Sequence, residues 1–593
     1  MYARSRRSDR SDYVEKEKMR KKKLRTAAFG VAMLTALCCG FTLAGCGEEP
    51  PEEQTPQETT LSLDRSVKYD MDKPYQGAWY TMFVYSFADS NGDGIGDIPG
   101  LIEKLDYLND GDPTTDDDLG ITGMWLLPIM PASTFHKYDI EDYYSIDPQY
   151  GTMEDFERLI EKCDKRGISV IIDLVLNCTS NKNPWFLDAL QNPDSPYREY
   201  YRFYNDIENK EDVNLDAAVL GYESWSRYDK NGNPYNKDAD VPDSEMAASL
   251  YAGYMPDLNY DNQSTRDEVK KIAKFWLDKG CAGFRLDSAP HIYSKAEIPK
   301  SATKTVEEYN YEFWTEFFDY CKTINPDTYL VGEVLTSNVD QRAEYMRSMK
   351  SDFDFGLIYA LRDEIKTPQS GNLLGVKLNS DYKKYRKVTN DNYINAPFQT
   401  DADVNRMAGV FGNDPRKIKL AQMFSLTLEG LPFMYYGDEI GMLGNKNSGE
   451  IFKLSFPWAK GDPLQTTRLD YWNIYGKKPD KSDYTQPFEE QNVDPDSVLS
   501  AIRTLIHIRC ENEALFKGRF EGFTAADNIT SYKMVSEHQE AVMLHNMRDE
   551  TVKFKFDVTG YKLLYMTYHN ELKVVDGEIT LQPYESIILA KEL

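Results

Sequence analysis

The sequence predicts an α/β protein: an eight-stranded (β/α)8 barrel of the TIM type, with a subdomain inserted after strand three and a C-terminal antiparallel β domain. Three observations carry this. From Gly77 onward, eight short apolar runs alternate with amphipathic helical patterns. The gap after the third run, residues 178–258, is too long for one βα unit and is rich in Tyr, Asn, Asp and Pro. Beyond residue 516 the pattern changes to strand-like alternation.

The predicted strands are AWYTMFVYSF (78–87), GMWLLPI (123–129), SVIIDLVL (169–176), AGFRLD (282–287), YLVGEV (329–334), FDFGLI (353–358), APFQT (396–400) and PFMYYG (432–437). They are continuously apolar, as strands buried on both faces should be. Helices fall between them, among them 153–167 and 264–280, the latter with Ser264 at its N-cap position and Gly280 at its C-terminal end. The barrel with its insert is expected over 69–516, ending in the helix 498–516. TSYKMV, VKFKFDV and EITLQPYESIILA then build the β domain, 517–593.

The first 45 residues are not fold. A basic run from Arg20 to Arg25, an apolar run and a small-residue end make an export signal, with Met19 a plausible start. Leu43-Ala44-Gly45-Cys46 resembles the lipobox of bacterial lipoproteins, which implies an acylated Cys46 and an extracytoplasmic protein held at the cell surface. Residues 46–68 are acidic and Pro-rich at first and read as a flexible tether. Removing residues 1–45 takes away 11 Lys/Arg and 4 Asp/Glu and moves the net charge from −28 to −35. Such a surface excludes nucleic acid as a partner and leaves the anchor as the only membrane contact. Cys38, Cys39 and Cys46 belong to leader and anchor, and the other five cysteines lack a paired spacing, which argues against a disulfide framework or zinc site.

In a β/α barrel the chemistry sits at the C-terminal strand ends. Asp173 and Asn177 end strand three, Arg285 and Asp287 strand four, Glu333 strand five, and Asp403 follows strand seven. Carboxylates gathered at one mouth suit glycoside hydrolysis, where one attacks the anomeric carbon and another protonates the leaving oxygen. Arg285, two residues before Asp287, faces the same side and is expected to keep Asp287 ionised. Glu333 follows Leu330, Val331 and Gly332, an apolar flank that favours a general acid.

Taken together and in order, GITGMWLLPI (120–129), DLVLN (173–177), MPDLNYDN (255–262), GFRLDSAPH (283–291), GEV (332–334) and TDADVNR (400–406) resemble the α-amylase family of glycoside hydrolases, family 13. MPDLN resembles the subgroup between oligo-1,6-glucosidases and neopullulanases. The resemblance implies Asp287 as nucleophile, Glu333 as acid/base, Asp403 as the residue that grips sugar hydroxyls, and Arg285 as the orienter of Asp287. It places Asp173, His136 and Tyr138 of FHKYD, and His291 at the substrate, with Tyr138 a stacking platform. It implies an α-glucan or maltooligosaccharide substrate.

Two positions depart from the family. Its usual Asn-His-Asp is here Asp401-Ala402-Asp403, and the histidine usual after DLVLN is Cys178. At roughly 1.5–3 kcal/mol per charge-assisted bond, losing both imidazoles weakens transition-state binding by about 3–6 kcal/mol, or on the order of 10²–10⁴ in rate. Two readings follow: an α-glucan hydrolase in which Asp401 or the inserted subdomain compensates, and a surface glucan-binding protein with weak or lost turnover. Ser288-Ala289 after Asp287, where a valine tends to accompany α-1,6 activity, leans towards α-1,4 linkages.

DSNGDGIGD (89–97) sets oxygen ligands at alternate positions: Asp89, Asn91, Asp93, the Ile95 carbonyl and Asp97. The spacing follows the first nine positions of an EF-hand loop without its final glutamate. Related amylases carry Ca²⁺ in this loop, so calcium is the expected cofactor. Asn177 matches a calcium-associated asparagine in some of them.

Overall fold

The computed structural model describes residues 57–64, 77–215, 224–295, 297–444, 453–460 and 485–593. The predicted leader, the expected acylation site Cys46 and most of the tether lie outside the described residues.

Eight parallel strands form the barrel: β1 (Trp79–Met82), β2 (Gly123–Leu126), β3 (Ser169–Leu174), β4 (Gly283–Leu286), β5 (Tyr329–Gly332), β6 (Ser351–Phe353), β7 (Ile394–Ala396) and β8 (Phe433–Tyr435). Neighbours follow chain order from β1 to β7, and β8 pairs with β1. A parallel bridge between Phe398 and Phe433 closes the ring between β7 and β8. Almost every strand residue is buried, because the barrel's own side chains fill one face and the outer helices cover the other. Trp79, Trp125, Phe353 and Phe433 pack together inside, with ring centroids 4.9–6.3 Å apart.

The sixth strand differs from its prediction. Strand stops at Phe353, and FGLI opens the helix Phe355–Lys366, because Asp354 caps it by accepting the Leu357 N–H at 2.9 Å. The predicted 264–280 helix runs Gln263–Asp278, and its cap is Asn262, which accepts from Thr265 at 3.0 Å, rather than Ser264. The helix Met153–Asp164 starts with a capping box between Thr152 and Asp155.

Between β3 and β4 the insert carries the helix Pro184–Gln191 and a three-stranded antiparallel sheet, with Trp225–Tyr228 between Pro234–Asn236 and Glu245–Ala248. The C-terminal part is two antiparallel sheets of five and four strands around a core that includes Val542, Leu563, Leu572, Ile579 and Leu589. One edge of the four-stranded sheet is Glu58–Ser62, paired with Glu571–Val575. This corrects the tether at its end. Leu61 and Leu63 pack against that core, so this stretch is a strand rather than free chain.

Candidate active site

The strand register builds the centre of the mouth. Asp173 on β3 lies opposite Arg285 on β4. Arg285 Nη1 donates to both Asp173 oxygens at 2.9 and 3.0 Å and to Asp287 Oδ1 at 2.6 Å. Its Nη2 meets Glu333 Oε2 at 2.8 Å. The guanidinium lies 5.0 Å from the Trp125 ring and 5.8 Å from the Tyr138 ring. Just past β4, Ser288 adopts a left-handed conformation (φ 43°), which turns its N–H onto Glu333 Oε2 at 3.0 Å. Asn177 Nδ2 ties the Ser288 carbonyl to β3 at 3.1 Å. Asp287 and Glu333 are therefore fixed by one cation and one turn.

The electrostatics differ from the expectation that Arg285 would hold Asp287 ionised. Burial pushes Asp287 well up; Arg285 opposes this, while Glu333 and Asp173 add to it. Asp173 is pushed up to about 6, chiefly by burial. For Asp287 and Asp173 the guanidinium, which also serves Glu333, does not offset burial and the repulsion of neighbouring carboxylates. The apolar flank inferred for Glu333 belongs to its backbone neighbours, whereas its carboxylate faces Arg285.

Tyr138 donates to Asp173 Oδ2 at 3.0 Å. Beside it, His136 Nδ1 accepts the Tyr138 N–H at 3.2 Å, and burial lowers its pKa to about 4. The imidazole is thus neutral and carries its proton on Nε2, ready to donate. Lys137 between them points the other way. It is 2% exposed, holds φ 66°, and bonds Asp147 Oδ2 and Gln149 Oε1, each at 2.6 Å. His291 sits on the short turn Ala289–His291 with Tyr251 edge-on at 6.2 Å. Cys178 and Ala402 are both buried, and burial pushes the Cys178 thiol up so that it stays neutral.

The β7 loop turns differently from the simple expectation. Asp401 is the inward carboxylate: buried, pushed up to about 7 by burial and then by Asp403 and Glu333. Its Oδ1 accepts the N–H groups of Asp403 at 2.7 Å and Val404 at 3.0 Å. Asp403 is exposed at the rim, with its charge felt by His136 and Tyr138. Arg362 braces both ends of the loop, donating to the Gln399 carbonyl and to the Asn405 carbonyl at 3.2 Å. Sequence reasoning missed Lys137 and Arg362, whose partners are remote or main-chain.

The DSNGDGIGD loop is the candidate calcium cradle. Asp89 and Asp97 are buried, and neither forms an ion pair with a described residue. Asp89 accepts from Gly92 at 2.7 Å and Gly94 at 2.8 Å, an arrangement that leaves each oxygen a free lone pair. Burial raises Asp97, and Asp89 adds to it. Asp93 is exposed and turned onto the Ile95 N–H at 2.8 Å, so the three carboxylates do not converge. Among the described residues no point gathers three or more His, Cys, Asp or Glu as a metal cluster. The fit rests on two buried carboxylates, Asp89 and Asp97, with Asn91 and a main-chain carbonyl.

A closed parallel barrel with paired carboxylates on one guanidinium at its mouth is the equipment of a glycoside hydrolase. Comparison with known proteins agrees. The model of the alpha-amylase catalytic domain matches residues 81–518, and that of the alpha-amylase SusG C-terminal domain matches 529–588. The chain belongs to the alpha-amylase family. It is 36% identical to Alpha-amylase 3 of Dictyoglomus thermophilum over 86% of this chain and 92% of that protein. It is 26% identical to Alpha-amylase SusG of Bacteroides thetaiotaomicron over 86% and 90%. The alpha-amylase structure from H. orenii superposes with a TM-score of 0.73 at 35% identity, covering 87% of this chain and all of that one.

Proposed function

We propose that this protein is a retaining α-glucan hydrolase that cuts α-1,4 linkages of starch or maltooligosaccharides. Asp287 attacks the anomeric carbon. Glu333 protonates the leaving oxygen and then activates water, and Asp403 holds sugar hydroxyls from the rim. The observation that carries this is the bridging of Asp287 and Glu333 by the two ends of one guanidinium, at 2.6 and 2.8 Å. Such bridging suits the short separation of about 5–5.5 Å used in double displacement, rather than the roughly 6.5–9.5 Å of inversion. The resemblance of MPDLN to the subgroup between oligo-1,6-glucosidases and neopullulanases supports membership there, and Ser288-Ala289 supports the α-1,4 preference.

The site is carried on a cell-surface lipoprotein acylated at Cys46. The basic run, the apolar run and LAGC in that order support this. Calcium binds Asp89, Asn91, Asp97 and the Ile95 carbonyl, with Asp93 the weakest member. Asn177, whose buried Oδ1 has no hydrogen-bond partner among the described residues, matches a calcium-associated asparagine in some amylases.

A second reading keeps the cleft but not the turnover. It is favoured by the burial of Cys178 and Ala402 where imidazoles are usual. The deciding assay uses a soluble form lacking residues 1–46, with Ca²⁺, on maltoheptaose and soluble starch, beside Asp287→Asn. Reducing ends released by the parent and not by the variant establish the hydrolase. Binding of maltoheptaose without release above that control makes the protein a glucan-binding relic.

A further inference from the structure

Tyr251 stands in the inserted subdomain, four residues before Met255 of MPDLN. The chain around it is pinned. The Leu250 N–H donates to Asp257 Oδ2 at 2.8 Å, and Asp257 forms an antiparallel bridge with Cys178. Its ring meets the His291 ring edge-on at 85°. Its hydroxyl is buried and has no partner in hydrogen-bonding geometry among the described residues, although Ser288 is a neighbour. Buried phenols normally find a partner from the chain.

The neighbours of that hydroxyl define its use. The Tyr251 ring packs on His291, on the turn that follows Asp287, and Asp287, Glu333 and the Cys178 thiol all act on its hydroxyl electrostatically, which sets it on that side of the mouth. Burial, followed by the Asp287 charge, raises its pKa, so the hydroxyl keeps its proton and donates. A cysteine side chain is smaller than a histidine, and its thiol is a weak donor. A phenol entering from the insert has both the reach and the donor strength that position 178 lacks.

We propose that Tyr251 is a further substrate-binding residue: its hydroxyl hydrogen-bonds the α-glucosyl unit held between Asp287 and Glu333, replacing the bond that Cys178 cannot make. This rests on the hydrolase reading above. The donor comes from the insert rather than from the barrel, so the insert is part of the site and not only its cover.

The test removes one oxygen atom. Tyr251→Phe in the soluble form lowers kcat/KM on maltoheptaose about 10–100-fold, as loss of one such bond to the transition state should, with an unchanged melting temperature. Cys178→His added to Tyr251→Phe recovers activity, and added to the parent gives less; packing alone has no reason to produce that pattern. Calorimetry on Asp287→Asn, with and without Tyr251→Phe, shows weaker maltoheptaose binding in the double variant. Wild-type cutting and binding by Tyr251→Phe overturns the proposal. Full turnover by Asp287→Asn instead sinks the catalytic reading, an outcome read independently of Tyr251.

Discussion

Replacing Arg285 by lysine keeps one positive charge and removes the fork. In the structure the guanidinium serves Asp173, Asp287 and Glu333 together, through four contacts of 2.6–3.0 Å. A lysine ammonium is a compact point charge that reaches one or two of them. Losing the bonds to the two reacting carboxylates, at roughly 1.5–3 kcal/mol each, removes about 3–6 kcal/mol of positioning and charge stabilisation. That corresponds to a fall in kcat/KM on the order of 10²–10⁴. Burial already raises Asp287, and Arg285 is the group that opposes it. The acidic limb of the pH–activity profile in Arg285→Lys therefore moves to higher pH, because more alkali is needed to ionise the nucleophile. The assay is kcat/KM on maltoheptaose from pH 4 to 9, with a circular dichroism melt as the folding control. A folded Arg285→Lys with the parent's rate and an unmoved acidic limb would refute the shared-guanidinium account.

Three further outcomes follow from the same structure. Asp401 is raised to about 7 from an ordinary carboxylate value near 3.8, so its stabilising contribution is complete below about pH 4 and is lost as pH rises to about 7. Asp401→Asn keeps the Oδ1 acceptor, and its melting temperature should gain on the parent progressively from pH 4 to 8; a constant difference would contradict this. Lys137→Met leaves Asp147 buried and unpaired, which costs roughly 3–5 kcal/mol. It should lower the melting temperature by several degrees and raise KM through the displaced His136 and Tyr138, and an unchanged melt would show that the buried pair does not hold the loop. Chelation of calcium should lower the parent's melting temperature, and Asp97→Asn should abolish that response; a parent indifferent to chelator would remove calcium from the account.

The barrel was legible because buried parallel strands are written as continuous apolar runs, and all eight were found in order. The β6 boundary was misread because FGLI suits either period, and only the Asp354 side chain, capping its own helix, settles it. The edge strand Glu58–Ser62 was hidden by acidic, Pro-rich sequence before it and by a partner more than 500 residues away. Composition reports the cost of ordering a segment, not the presence of a distant sheet edge that offsets it. At the site, residue types at strand ends pointed to Arg285, Asp287 and Glu333. The sharing of Arg285 three ways needed the register. Which aspartate of the β7 loop turns inward is decided by two main-chain N–H groups and by Arg362, none of which a motif displays. Tyr251 carried no signal beyond its closeness to MPDLN, because its proposed role depends on the small Cys178 thiol that folding brings to the same side of the site.

The central claim is a covalent glycosyl intermediate on Asp287. The direct measurement is to incubate the soluble form with a fluorine-substituted α-glucosyl fluoride, whose intermediate forms faster than it hydrolyses. Intact mass and peptide mapping then locate the sugar. The account predicts one added glycosyl unit per chain on the peptide carrying Asp287, absent from Asp287→Asn. Turnover of the reagent with no adduct, or an adduct on another carboxylate, would contradict it.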